Sequence, residues 1–147
     1  MQVLFCTSTQ PGALLIRSVT WSAWSHVALV DGDYVIEATW PRVRRVPLAN
    51  VLAKHSRYVI ADIACRNPAL AMRAARSQVG KPYDLAARVG FMAHRDWQDD
   101  SRWLCSELVA WCFERGGPLF RPGALHRVTP QHLWMLAPNV GSLLNPV

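Results

Sequence analysis

Three side chains in this sequence are placed to do nucleophilic chemistry. Cys105 stands in Trp103-Leu104-Cys105-Ser106-Glu107-Leu108, where an extended run turns into a helix with an apolar face. The free N–H groups and the dipole at a helix start favour a thiolate over a thiol, whose usual pKa is about 8.5. The same N–H groups, that of Ser106 among them, can hold a developing oxyanion. His26 and Glu37 lie on either side of Asp31-Gly32, in Ser25-His26-Val27-Ala28-Leu29-Val30 and Tyr34-Val35-Ile36-Glu37-Ala38-Thr39. Two β-rich runs around Asp-Gly predict a hairpin, because a type I′ turn needs positive φ at both central residues. With Asp31-Gly32 as the loop, Ala28 faces Val35 and His26 faces Glu37, their Cβ atoms about 5 Å apart. A carboxylate there would fix the imidazole tautomer and stabilise the imidazolium. Plainer explanations stay open at this point. The pair fits a simple cross-strand contact, and a cysteine is more often a buried structural thiol, the role read for Cys6, Cys65 and Cys112.

The remaining titratable groups offer less. His55, His94, His126 and His132 have no partner at a useful spacing and read as surface or core residues. Glu107 suits the first turn of the Cys105 helix, where a negative charge is favourable, or an ion pair with an arginine. Asp84 reads as the cap of a following helix. Trp21 and Trp24, just ahead of His26, read as buried aromatics rather than as a substrate groove. There is no Cys-x-x-Cys or His-x-x-x-His pair, so neither a metal site nor any cofactor is expected.

These side chains need a scaffold, and the 147 residues suffice for one domain, residues 1–147. A chain of this length buries roughly 70% of its unfolded surface, and 51% hydrophobic content supplies a core. Short apolar runs at Val3–Cys6 and Leu14–Arg17 surround Gln10-Pro11-Gly12 and predict a strand followed by a strand or short helix. Val43–Leu48 and Tyr58–Ile63 predict further strands. Pro68–Val79 has apolar residues near helical spacing, a proline for its first turn and Gly80 as a stop. Leu85–Met92 predicts a second helix, His94–Ser101 a surface loop, and Cys105–Arg115 a third helix ended by Gly116-Gly117. A short helical turn is expected at Thr129–Leu136, with Thr129 as cap and Pro130 at the first position.

Composition narrows the function classes. No apolar run approaches the roughly 18 residues of a membrane span. The N-terminus lacks a basic region and a cleavage site, so the expectation is a protein cytoplasmic as synthesised, with any action at the cell wall requiring delivery by another system. The four cysteines are then expected as free thiols. The net charge is +6, and all basic residues except Lys54 and Lys81 are arginine. Only Arg42, Arg44 and Arg45 cluster, and that cluster reads as a solvated face. Nucleic-acid binding is not expected from so scattered a charge.

Four blocks taken together resemble a known group. Ser25-His26-Val27-Ala28-Leu29-Val30, Val35-Ile36-Glu37-Ala38, Gly80-Lys81-Pro82-Tyr83-Asp84 and Trp103-Leu104-Cys105-Ser106-Glu107-Leu108-Val109 are similar, in that order, to the circularly permuted NlpC-type cysteine hydrolases. These include the YiiX-like group and, more distantly, the lecithin:retinol acyltransferase-like enzymes. In that branch the histidine strand precedes the cysteine helix, the reverse of ordinary papain-like enzymes. The resemblance covers about residues 10–115, and it extends to small phage and prophage proteins through Trp21 and Trp24 before the histidine strand. The chain departs from the pattern at Gly12-Ala13-Leu14, where the group usually carries Gly-Asp-Leu.

The resemblance implies an α+β, permuted papain-like fold: a small antiparallel sheet packed against the helix carrying Cys105. It implies Cys105 as nucleophile, His26 as base and Glu37 as the polar third member, with Tyr83 near the site as an oxyanion or substrate contact. The implied activity is amide hydrolysis through a thioester, with a peptidoglycan stem peptide as the first substrate to consider. The rivals are an acyl-ester hydrolase or acyltransferase and a catalytically silent ligand-binding module. A silent copy would be expected to lose the cysteine, the histidine or the acid, and all three are present.

Overall fold

Burial runs unbroken through the three central strands of this chain and alternates only along the two edge strands, so the sheet is covered on two unequal apolar faces. The structure, a computed structural model, describes residues 1–7, 23–83, 104–120, 125 and 128–138. The expectations for Leu14–Arg17, Leu85–Met92, His94–Ser101, Trp21, Asp84 and His126 lie outside the described residues. Five strands, β1 (Gln2–Thr7), β2 (His26–Asp31), β3 (Tyr34–Thr39), β4 (Arg42–Pro47) and β5 (Arg57–Asp62), form one sheet in the order β4-β3-β2-β1-β5. Every pairing is antiparallel. The helices are α1 (Leu48–Leu52), α2 (Pro68–Ser77), α3 (Cys105–Gly116) and α4 (Pro130–Trp134).

The larger core lies between one sheet face and α3. Val3, Phe5, Val27, Leu29, Ile36 and Val43 meet Leu108, Val109, Cys112 and Phe113 there. On the other face Leu4, Cys6, Ala28, Val30 and Val35 pack with Val51 of α1. β1 is paired on both sides and covered on both faces, which is why Val3–Thr7 are buried without a break. Trp24 is buried against the rings of Phe5, at 5.9 Å, and of Trp134, at 5.1 Å, so it is a core aromatic rather than a groove wall. That stack fixes the chain immediately ahead of His26.

The helix boundaries follow local chemistry. Asn67 caps α2 by accepting from the Leu70 N–H at 3.1 Å, with Pro68 in the first turn. Thr129 caps α4 by accepting from the His132 N–H at 3.2 Å, with Pro130 in its first turn. A Cβ on Gly116 would lie 2.7 Å from the Asn67 carbonyl oxygen, so only glycine lets the end of α3 dock beside the start of α2. Here the Asn67 N–H donates to the Gly116 carbonyl at 2.8 Å.

Two expectations need correction. Leu48 opens a helical turn, α1, rather than closing a strand, because β4 ends at Pro47. The β2–β3 hairpin turns at Gly32-Asp33, not at Asp31-Gly32. Asp31 stays in the ladder opposite Tyr34, Val30 pairs with Val35, and Leu29 with Ile36. The reason is side-chain chemistry: Arg45 Nε donates to the Asp31 carboxylate at 2.7 Å, and Arg76 donates to it as well, holding Asp31 in the sheet. Gly32, at φ +62°, then takes the first loop position. Carried along the strands, the observed register sets Ala28 against Glu37 and makes His26 a diagonal neighbour. A slip of two residues keeps every side chain on its own face, so His26 and Glu37 still share one.

Candidate active site

The N-terminus of α3 and the start of β2 meet at one end of the sheet. Leu104 has extended backbone, φ −87° and ψ 156°, and Cys105 begins the helix. The first intrahelical hydrogen bond runs from the Leu108 N–H to the Leu104 carbonyl, so the N–H groups of Cys105, Ser106 and Glu107 precede it. Glu107 turns its carboxylate back toward the Leu104 N–H at 3.4 Å, a first-turn acid as the sequence implied. The Ser106 side chain is buried, which leaves its backbone N–H as the group it can offer.

Cys105, His26 and Glu37 form one line of contacts. The His26 ring, and after it the backbone N–H groups of Val27 and Ser106, lie close enough to the Cys105 sulfur to favour its thiolate. His26 Nε2 lies 2.6 Å from Glu37 Oε2, and an ionised carboxylate can only accept, so Nε2 carries a proton. That leaves Nδ1 as the nitrogen toward the thiol. The side chains of His26 and Glu37 are 15% and 3% exposed, so the pair is largely removed from solvent screening.

Burial opposes a charge on each of these groups, yet the contacts prevail. Burial would lower the His26 pKa, but the neighbouring Cys105 and the hydrogen-bonded Glu37 push it up to about 10. Burial would raise the Glu37 pKa, but His26 and then Arg44 bring it down to about 2. Burial would also raise the Cys105 pKa, and the His26 contact followed by the Val27 and Ser106 N–H groups lowers it below the ordinary thiol value. Each shift favours the charged form: a thiolate on Cys105, an imidazolium on His26 and a carboxylate on Glu37 behind it.

Other sequence candidates fall at different distances from this line. Tyr83 packs against the α3-side core, and its N–H donates to the Pro41 carbonyl at 2.9 Å, beside the β3–β4 connection. That connection is at the same end of the antiparallel sheet as the start of β2. Cys6 lies directly across β1 from His26, and burial, then the negative Glu37, push its pKa up to about 12. Burial does the same for Cys112. Both are thus held as protonated thiols, whereas the Cys105 pKa is shifted the other way.

Sequence reasoning passed over two neighbours. The sequence offers His55 no partner at a useful spacing, yet its ring lies parallel to that of His26, 5.9 Å between centroids and 4° between planes. Burial, then the positive His26, lowers the His55 pKa and keeps that ring neutral. The Arg42, Arg44 and Arg45 run reads in the sequence as a solvated face, but Arg44 is committed to the site. It lies directly opposite Glu37 on β4, and its Nε donates to Glu37 Oε1 at 2.8 Å. Trp40-Pro41 as a two-residue connection would have predicted that pairing, since it sets Thr39 against Arg42 and Glu37 against Arg44.

Comparison with known proteins gives the family and the fold. Residues 2–132 match the family model described as the permuted papain-like amidase enzymes YaeF/YiiX, the C92 family. Among solved structures the chain is similar to one titled metalloprotein yiiX from Escherichia coli O157:H7, with a TM-score of 0.64 and 25% sequence identity. That likeness covers 79% of this chain and 64% of the other, so this chain spans less than two thirds of that relative's length. A search of curated proteins gave no match. The family match spans most of the sequence: the chain belongs to the permuted papain-like amidase family and has its α+β fold.

Proposed function

From that membership and the line of contacts just described, we propose that the protein is a cysteine amidase with Cys105 as nucleophile. The observation that carries the reading is a cysteine at a helix N-terminus beside a histidine that a buried carboxylate holds at 2.6 Å. The Cys105 thiolate attacks an amide carbonyl carbon, and the electron pair of the C=O bond moves to oxygen. N–H groups at the start of α3, with Ser106 among them, stabilise that oxyanion. As the tetrahedral species collapses, the C–N bond breaks and His26 gives its proton to the leaving amine. Water then attacks the thioester, His26 takes its proton, and the Cys105 thiolate is released with the acid. Glu37 orients the ring and balances its charge throughout. Tyr83 contacts the substrate or the oxyanion from the β3–β4 side.

The substrate proposed is a peptide amide, with the stem peptide of peptidoglycan as the first choice. The solved relative is titled a metalloprotein, but the described residues here do not fit a metal centre. No group of three or more His, Cys, Asp or Glu among them could hold an ion, and no step is routed through one. The test is incubation with purified muropeptides and with acyl esters, followed by mass spectrometry of the products and of Cys105. Cleaved amides with a transient acyl adduct on Cys105 support the reading. Turnover of esters alone would move the protein to acyl transfer. Neither turnover nor adduct would leave a ligand-binding module.

A further inference from the structure

Arg44 stands outside the three residues that the chemistry requires, yet it is the group that completes their charge balance. Counted from the helix end, the contacts run thiolate, imidazolium, carboxylate, guanidinium: the signs alternate and the sum is zero. Remove the last member and a cluster whose carboxylate is 3% exposed and whose imidazole is 15% exposed carries a net negative charge. An unbalanced charge in such a place is costly, and the usual response is to take up a proton.

We propose that Arg44 is a positioning residue of the active site, acting through Glu37 to balance and aim the carboxylate that holds His26. Two features of the fold support this. β3 and β4 pair with Glu37 directly opposite Arg44, so the guanidinium is delivered by the sheet rather than by a loop. Arg44 contacts Glu37 with both Nε, at 2.8 Å, and Nη2, at 2.7 Å, and both reach Oε1. The other oxygen, Oε2, is thereby left to His26 Nε2. One carboxylate oxygen for each cation fixes the rotation of the carboxylate, and with it the ring that must face the thiol. Arg44 itself is 41% exposed, so its replacement opens no cavity in the core.

The other charged and titratable neighbours do not supply this balance. Cys6 on β1 stays protonated, and His55 stays neutral, as burial and the nearby imidazolium require. Lys54 bears on His55, Tyr58 pairs with Cys6 across β1 and β5, and Arg45 is committed to Asp31. Arg44 is the cation on Glu37 besides His26 among the described residues.

This inference rests on the thiolate reading above, and its test separates the two. The rate of Cys105 alkylation by iodoacetamide is measured against pH in the full-length wild type, Arg44→Gln, Arg44→Lys and Glu37→Gln with and without Arg44→Gln. Gln keeps a hydrogen-bond donor and removes the charge, whereas Lys keeps the charge. Losing a positive charge makes every group of the cluster hold its proton more tightly. The low-pH midpoint of alkylation should therefore rise in Arg44→Gln by roughly half to one pH unit. Arg44→Lys should hold it within a few tenths of a unit of wild type. In the Glu37→Gln background the Arg44→Gln shift should shrink at least about twofold, the sign of coupling through the carboxylate. An unmoved midpoint in Arg44→Gln, even with a lower melting temperature, makes Arg44 merely structural and overturns the proposal. An undiminished shift in the Glu37→Gln background overturns it too, because Arg44 would then act on the thiol directly. A wild-type Cys105 no more reactive than Cys6 would instead remove the thiolate reading itself.

Discussion

The sheet carries two carboxylate clusters of similar build, one on each face, and their difference separates structure from chemistry. Successive residues of β4, Arg44 and Arg45, point to opposite faces because side chains alternate along a strand. Arg45 grips Asp31, which also receives Arg76 from α2. Arg44 grips Glu37, which also receives His26. Asp31 and Glu37 are both nearly buried, at 7% and 3% exposure. Hydrogen bonds from Arg76, outweighing burial, and from Arg45 keep Asp31 ionised, as His26 and Arg44 do for Glu37. The first cluster has guanidinium partners that never lose their protons, so it can only tie the hairpin to α2. In the second an imidazolium stands where a guanidinium would, and it has a thiol beyond it. On the function proposed above, that one titratable partner turns a clamp into a proton relay.

The most severe test of that contrast is removal of the thiol. Cys105→Ala should drop amide turnover to background with the circular dichroism spectrum unchanged, since alanine suits a helix start. Asp31→Asn should do the reverse: turnover per folded molecule persists, while urea unfolding shows a loss of about 1–3 kcal/mol from a buried charged hydrogen-bond network. His26→Ala follows, with a loss on the order of a thousandfold in kcat as general acid–base transfer disappears. Glu37→Gln should cost less than His26→Ala, because it weakens the orientation of the base without removing it.

The pH dependence of stability sharpens the same comparison. The His26 pKa rises from 6.5 to about 10 on folding, so its contribution is whole below pH 6.5 and is lost as pH climbs through about 10. The Glu37 pKa falls from 4.5 to about 2, so its contribution is present above pH 4.5 and is lost as pH drops through about 2. Asp31, also lowered, changes only on the acid side. Below about pH 9 the lowered Cys105 pKa offsets the His26 contribution, because the ion pair binds as many protons as a thiol beside a neutral imidazole. The unfolding free energy should therefore decline in wild type and in Asp31→Asn alike mainly from about pH 9 to 11, where the raised pKa values of Cys6 and Cys112 also cost stability. The decline should be shallower in His26→Ala. The smallest effect belongs to Arg76→Ala. Its side chain is 58% exposed and Arg45 remains on Asp31, so melting should shift slightly and Cys105 alkylation not at all.

Much of this site was legible in the sequence because it depends on short-range rules. The extended-to-helix step before Cys105 and the Thr129-Pro130 cap are local signals, and both elements stand where the residues imply. The shared face of His26 and Glu37 followed from strand periodicity, which survives an error of two residues in register. The turn itself was misread because Asp31, a good turn former, is held in the ladder by Arg76, whose place comes from a distant helix. The His55–His26 stack was illegible for a similar reason: α1 and the residues after it meet β2 only through the folded sheet. Arg44 was missed differently, by reading a charged run as solvated when its alternate members serve opposite faces.

The order of the elements along the chain has a consequence for how the protein comes into being. His26 and Glu37 lie early in the sequence and Cys105 much later, and β1 must pair with both β2 and β5 before the base is framed. Contacts between distant segments form late and slowly in folding. Until they form, Cys105 is an ordinary thiol, mostly protonated at neutral pH. On the function proposed above, the nucleophile is latent in the nascent chain and activated by tertiary assembly, so during refolding the alkylation rate of Cys105 should serve as a clock for the last long-range contacts to close.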